Sequence, residues 1–196
     1  LVASVGGYFV SHDGEGIAFN LYGGISTSVA LKTGKIALRE ESNYPWSGDI
    51  TIHVDPDTPA RFPVSLRIPG WAKSFTTKVN GQAVPGKPVK GYLTIDRQWQ
   101  KGDVIALDLP MAAERSYANP NVNMDVGRVA LRRGPLVYCI EEVDNGGPVQ
   151  RLKLPRRAEL KSSTRADLFD GVVTITADAR EIAADGWTET LYRTEP

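Results

Sequence analysis

The sequence predicts an all-β protein built as an antiparallel β-sandwich, and three observations carry that expectation. Apolar residues alternate with polar ones from Gly16 onward. Turn chemistry interrupts the alternation roughly every 8–12 residues. The dipeptide Asn80-Gly81 stands where a two-residue hairpin needs positive φ at both centres.

The elements follow in order. Leu1, Val2, Val5, Tyr8 and Phe9 are spaced as one helical face. Residues 1–12 are therefore expected to be the end of a helix, weakened by Gly6-Gly7, that cannot bury its apolar side by itself. Ile17-Phe19-Leu21 opens the first strand region, expected over 13–112. Ile25-Thr27-Val29-Leu31, Ile36-Leu38, Ile50-Ile52-Val54 and Phe62-Val64-Leu66-Ile68 then repeat the period of two. Such alternation places one face of each strand in a core and leaves the other wet. Lys32-Thr33-Gly34-Lys35, Ser47-Gly48-Asp49 and Asp55-Pro56-Asp57 supply the turns. Phe75-Thr77-Val79 runs into Asn80-Gly81, a short strand follows from Tyr92 to Ile95, and Ile105-Leu107-Leu109 closes the region. Residues 113–125, rich in Asn and Pro, are expected to be a linker or crossover. A second β-region, 126–196, is expected to start at Val126, turn at Arg133-Gly134, continue through Leu136 to Glu141 and contain the strand Val172 to Thr176. The chain lacks a basic leader and a cleavage pattern at Leu1 and ends after Trp187 and Leu191-Tyr192, so it reads as an excerpt of a longer polypeptide with localisation undefined.

Composition excludes several classes of function. Lys plus Arg and Asp plus Glu are 23 each, giving zero formal charge, which disfavours a nucleic-acid partner. The pairs Arg132-Arg133 and Arg156-Arg157 read as solvated strand ends. No segment approaches the roughly 18 apolar residues of a membrane span. Cys139, the single cysteine, cannot form an internal disulfide and lies in the run Leu136-Val137-Tyr138-Cys139-Ile140, where a buried inert thiol is expected.

Catalytic chemistry finds little support. Nucleophilic hydrolysis by a Ser-His-Asp set needs a histidine base. The two histidines are His12, placed at the end of the helical stub, and His53, placed on the polar face of a strand. Two histidines and one cysteine do not make a zinc tetrad of the usual ligands. Asp55 and Asp57 read as an acidic turn before a calcium site, and Asn119, Asn121, Asn123 and Asp125 as a loop before a cation site. Glu40-Glu41 and Glu141-Glu142 are adjacent pairs, pointing to opposite faces if in strands, so neither reads as a glycosidase pair. The glycine pairs do not have the spacing of nucleotide-binding loops. Aromatics remain. Tyr44, Trp46 and Trp71, with Trp99, are expected at strand ends or loops, where packing competes with sugar stacking. Tyr44, Trp46 and Trp71 are the candidate contacts to glycan or to a neighbouring domain, with Trp71 as an inter-domain anchor.

Six segments together resemble one family. They are Asn43-Tyr44-Pro45-Trp46-Ser47-Gly48, Leu66-Arg67-Ile68-Pro69-Gly70-Trp71-Ala72, Val79-Asn80-Gly81, Trp99-Gln100-Lys101-Gly102-Asp103, Arg128-Val129-Ala130-Leu131 and Arg133-Gly134-Pro135-Leu136-Val137-Tyr138-Cys139. In order and spacing they are similar to the region following the catalytic barrel in glycoside hydrolase family 127. The resemblance implies a parent retaining glycosidase of the β-L-arabinofuranosidase type, with an (α/α)6 catalytic barrel followed by β-sandwiches. It implies a zinc-bound cysteine nucleophile, further cysteine and glutamate zinc ligands and a glutamate acid/base, all outside this chain. No catalytic, cofactor or metal residue is therefore carried over to this sequence, and zinc is expected only in the missing barrel. That barrel is the expected partner, with glycan and a second copy of the parent as further candidates. The resemblance also implies an aromatic-rich segment after Pro196, whose loss leaves an open strand edge prone to association. The functional readings are an accessory sandwich bracing the barrel, a carbohydrate-binding module, and an unrelated structural or interaction sandwich.

Overall fold

A computed structural model describes residues 2–169, 171–182 and 192. The chain divides into two compact units, Leu1–Ala112 with Arg133–Leu136, and Ala113–Arg132 with Val137–Pro196.

The first unit is a β-sandwich. One sheet has the order β1-β2-β6-β9, from Val10–His12, Ile17–Phe19, Ala60–Arg67 and Tyr92–Trp99. The other has the order β3-β4-β5-β10-β7-β8, from Ile25–Leu31, Gly34–Ser42, Asp49–Pro56, Asp103–Asp108, Thr76–Val79 and Gln82–Ala83. Their inner faces share one core. Ile17, Phe19, Phe62, Val64, Leu66, Leu93, Ile95 and Trp99 come from the first sheet, and Ile36, Leu38, Ile50, Ile52, Val54, Ile105 and Leu107 from the second. Every second residue points inward because the strand period is two. Ile52 thus stands opposite Glu40 on β4 and Ile105 on β10, with both strands extending the same inner face. Each such aliphatic side chain contributes about 1.5–3 kcal/mol by leaving water.

The predicted turn forms at Asn80-Gly81, with φ of 51° and 79°, and pairs Val79 with Gln82. Asn80 does more than turn the chain. Its Nδ2 donates to Asp103 Oδ1 at 2.7 Å, and its Oδ1 accepts the Val104 N–H at 2.9 Å, which ties the hairpin to β10. Trp99 ends β9 fully buried, its Nε1 donating to the Phe62 carbonyl at 2.8 Å.

Three local expectations are corrected in this unit. Residues Val2–Tyr8 form a 3-10 helix with no buried residue, and the chain enters β1 at Val10, so His12 closes a strand rather than a helix. Strand β2 stops at Phe19, and Tyr22 rather than Leu21 is buried. Strand β2 pairs with β6 in parallel, Ile17 opposite Val64. Alternation reports which face is buried but not the direction of the neighbour, and the chain makes β3, β4 and β5 in the other sheet before returning.

The second unit contains short strands. β11 (Ala113–Ser116), β12 (Ala130–Arg133) and β13 (Leu136–Tyr138) form one sheet, whose turn at Arg133–Leu136 belongs to the first unit. β14 (Leu152–Lys153) pairs with β17 (Arg180–Glu181), and β15 (Lys161–Arg165) with β16 (Val172–Thr176). A short α-helix, α1, spans Glu142–Asn145, and 3-10 turns cover Asn123–Asp125 and Val149–Arg151. None of the described residues of this unit is buried. Residues 126–129 precede β12 instead of opening a strand, and Glu141 caps α1 instead of continuing one. Cys139 is exposed: it follows β13 and shares the parity of exposed Val137, the outward face of that strand. The basic pairs are partnered in part. Arg132 bonds Glu114 at 3.2 Å, and the Arg156 guanidinium lies 5.6 Å from the Tyr117 ring centre. Trp187 and Leu191 lie outside the described residues. No described helix is long and apolar enough to cross a membrane.

Candidate functional site

The candidate aromatics occupy the loops after β4 and β6. Strand β4 leaves the sheet at Ser42, and Asn43 begins a tight loop in which its carbonyl accepts the N–H groups of Trp46 and Ser47 at 2.8 and 3.0 Å. Ser47 Oγ donates to Asp49 Oδ2 at 2.5 Å, and the loop re-enters β5. The Tyr44-Pro45 bond is cis. After β6, Pro69-Gly70-Trp71-Ala72 turns through a bond from Ala72 N to the Pro69 carbonyl at 3.0 Å.

The structure brings two of the three candidates together. Tyr44 and Trp71 stack with ring centres 6.5 Å apart and planes at 24°, and both pack against the core. Tyr22 meets Tyr44 edge-on at 6.1 Å and donates its hydroxyl to the Arg67 carbonyl at 2.8 Å. Each ring therefore spends contact area on another ring of the same unit, which is how aromatic clusters stiffen a domain end. Within its own unit Trp71 packs on Tyr44 and the core. Trp46 stands differently, with 48% of its surface exposed, while its carbonyl accepts Arg133 Nη1 at 2.8 Å.

A buried carboxylate lies beneath these loops. Glu40 is 2% exposed, and its Oε1 accepts Gly23 N–H at 2.8 Å, Gly24 N–H at 3.3 Å and Ser42 Oγ–H at 3.1 Å. Its Oε2 meets no donor among the described residues. Burial, and then the neighbouring charge of Glu40, push the Tyr22 hydroxyl well above its usual range. Adjacency puts Glu40 and Glu41 on opposite faces of a strand without saying which lies inward. Continuing the parity of Ile36-Leu38 to Glu40 is the signal that could have done so, whereas Gly23, Gly24 and Tyr22 carry no motif that ties them to it.

The histidines remain apart from the aromatics. His53 Nε2 lies 3.0 Å from Arg39 Nη2 and 3.6 Å from Glu41 Oε2, and Arg39 is also paired with Glu41. A guanidinium only donates, so in the Arg39 contact the imidazole nitrogen can take part only as an acceptor. Asp55 Oδ1 accepts the Gly102 N–H at 2.7 Å, tying β5 to the turn between β9 and β10, whereas Asn119 Oδ1 accepts the Asn121 N–H at 3.0 Å within its own turn. Among the described residues no three His, Cys, Asp or Glu side chains gather as metal ligands. The zinc implied by the family resemblance therefore finds no matching donor set in them.

Residues 16–111 match the model of the middle domain of family 127 β-L-arabinofuranosidases, and residues 113–184 match that of the family's C-terminal domain. The chain belongs to glycoside hydrolase family 127. This removes the reading of an unrelated sandwich, which required the resemblance to be coincidental. A non-reducing end β-L-arabinofuranosidase of Bifidobacterium longum subsp. longum is 35% identical over 98% of this chain, which covers 30% of that protein. A crystal structure of a family 127 β-L-arabinofuranosidase from Geobacillus stearothermophilus T6 superimposes with a TM-score of 0.92 at 39% identity, covering all of this chain and 31% of that one. A second family 127 β-arabinofuranosidase gives 0.88 at 33% identity, over 95% of this chain and 32% of its own. The chain thus spans about a third of the length of these family 127 relatives and corresponds to their middle and C-terminal domains.

Proposed function

We propose that this chain is the accessory sandwich region of a glycoside hydrolase acting on arabinofuranoside-type glycans, bracing a catalytic (α/α)6 barrel that carries the zinc and the reacting residues. The observation that carries this reading is the Tyr44–Trp71 stack, continued by Tyr22 and packed on the core. Rings committed to one another stiffen a loop end, whereas a sugar platform keeps a ring face open to stack on C–H groups. Names of the relatives supply the substrate class.

Retention on immobilised arabinan, together with thermal melting of the wild type and Trp71→Ala, tests the proposal. Bracing predicts a melting temperature lowered by several degrees and unchanged retention. Loss of retention at unchanged melting temperature would overturn it in favour of a carbohydrate-binding module. Half-exposed Trp46 favours that second reading, and Trp46→Ala then loses retention while folding normally.

A further inference from the structure

Arg133 lies within the stretch matched by the C-terminal family model, yet the segment Arg133–Leu136 belongs to the first compact unit. The sequence marks this arginine as half of a basic pair and as the first residue of a turn, with no partner named for it. In the structure it is half-buried, its Nη1 donates to the Trp46 carbonyl at 2.8 Å, and the same nitrogen lies 3.8 Å from Met111 Sδ. Gly134 beside it has φ of 56°, which favours glycine, and a Cβ there would come within 2.8 Å of Met111 Sδ and push that flexible side chain aside.

The loop it reaches is fixed elsewhere by its own bonds. Trp46 and Ser47 donate to Asn43, and the Gly48 carbonyl accepts Leu109 N–H at 3.0 Å. The Trp46 carbonyl, at the loop tip, is held by Arg133. A planar guanidinium presents its donors in fixed directions and stays charged at all accessible pH, which suits it to hold a carbonyl in one place.

We propose that Arg133 is a positioning residue for the Trp46 loop. The middle domain's half-exposed indole is ordered by a turn encoded more than twenty residues beyond that domain's matched stretch, residues 16–111. This holds whether Trp46 meets glycan or another part of the parent protein.

Residue-resolved amide exchange on the full chain tests it, comparing the wild type with Arg133→Ala and Arg133→Lys. Expected for Arg133→Ala is exchange at the Trp46 and Ser47 amides faster by on the order of tenfold, with Ile105 and Leu107 in β10 unchanged. Arg133→Lys keeps a charged donor and raises the loop rates less. Unchanged rates at Trp46 and Ser47 overturn the proposal, as does an equal rise at Ile105 and Leu107, which would mean general destabilisation. Equal loop rates in the alanine and lysine variants overturn the hydrogen bond as its basis.

Discussion

Glu40 accepts the backbone N–H of Gly23 at 2.8 Å, joining the chain just beyond β2 to the inward face of β4. The acceptor is buried, with 2% of its surface exposed, and Thr77 and Asp103 are likewise buried polar residues among those described. Gly23 and Gly24 are themselves exposed, so water can take over part of the bonding their N–H groups lose with the carboxylate. Glu40→Ala removes the acceptor of both donors and empties space on the inner face of β4, and is expected to cost about 1–3 kcal/mol. Glu40→Gln keeps a carbonyl oxygen in place and is expected to cost roughly half as much. Urea midpoints at constant m-value measure both, and equal losses in the two variants would show that packing, not the bond, sets the cost.

Gly48 makes the second tight approach. A Cβ on Gly48 would fall on the Leu109 carbonyl, well inside contact distance, and the atom in the way is backbone. Relief requires β5 and β10 to separate where they start pairing at Asp49 and Asp108. Gly48→Ala is expected to destabilise by about 2 kcal/mol or more. Gly147→Ala, where an added Cβ meets nothing within 4 Å, serves as the control and is expected to change stability by under about 0.5 kcal/mol. Comparable melting temperatures for the two variants would contradict the steric account.

Much of the sandwich was legible in the sequence because a strand states its own burial. Ile36-Leu38, Ile50-Ile52-Val54 and Phe62-Val64-Leu66 all lie inward as their parity requires, and Asn80-Gly81 turns where its chemistry demands. Tertiary pairing was not legible. Nothing in Ile17-Ala18-Phe19 says that it runs parallel to Val64-Ser65-Leu66, and nothing in Arg133 names Trp46 as its acceptor. At the candidate site, residue types alone identified Tyr44, Trp46 and Trp71 but not that the first and last stack while the middle one is half-exposed. Cys139 failed for a local reason. An apolar run does not say which of its members face inward, and Cys139 has the parity of Val137 on the exposed side of β13.

That exposure gives Cys139 a simple signature. Its Sγ lies 3.9 Å from Glu141 Oε1, beyond any strong bond, and the residue is open to solvent. Titration with an aromatic disulfide reagent under native conditions is expected to modify one thiol per chain at a rate within about threefold of that in urea. A native rate slower by orders of magnitude would show instead that reaction waits for unfolding.

Tyr22 supplies the pH dependence. Its hydroxyl is held above the usual tyrosine range first by burial and then by the charge of Glu40, with Tyr44 and Tyr92 adding to both. An unfolded tyrosine loses its proton near pH 10. Below that pH both states keep the proton, and Tyr22 contributes no slope. Above it the unfolded chain releases a proton that the folded one retains, so stability falls as pH rises, by at most about 1.4 kcal/mol per pH unit. Tyr22→Phe lacks this proton and the bond to the Arg67 carbonyl. The variant is therefore expected to be less stable than wild type at about pH 8, with the gap narrowing as pH climbs through roughly 10 to 11. Urea midpoints of both proteins across that range measure the convergence, and parallel curves would mean that Tyr22 ionises in the folded protein as readily as in the unfolded chain.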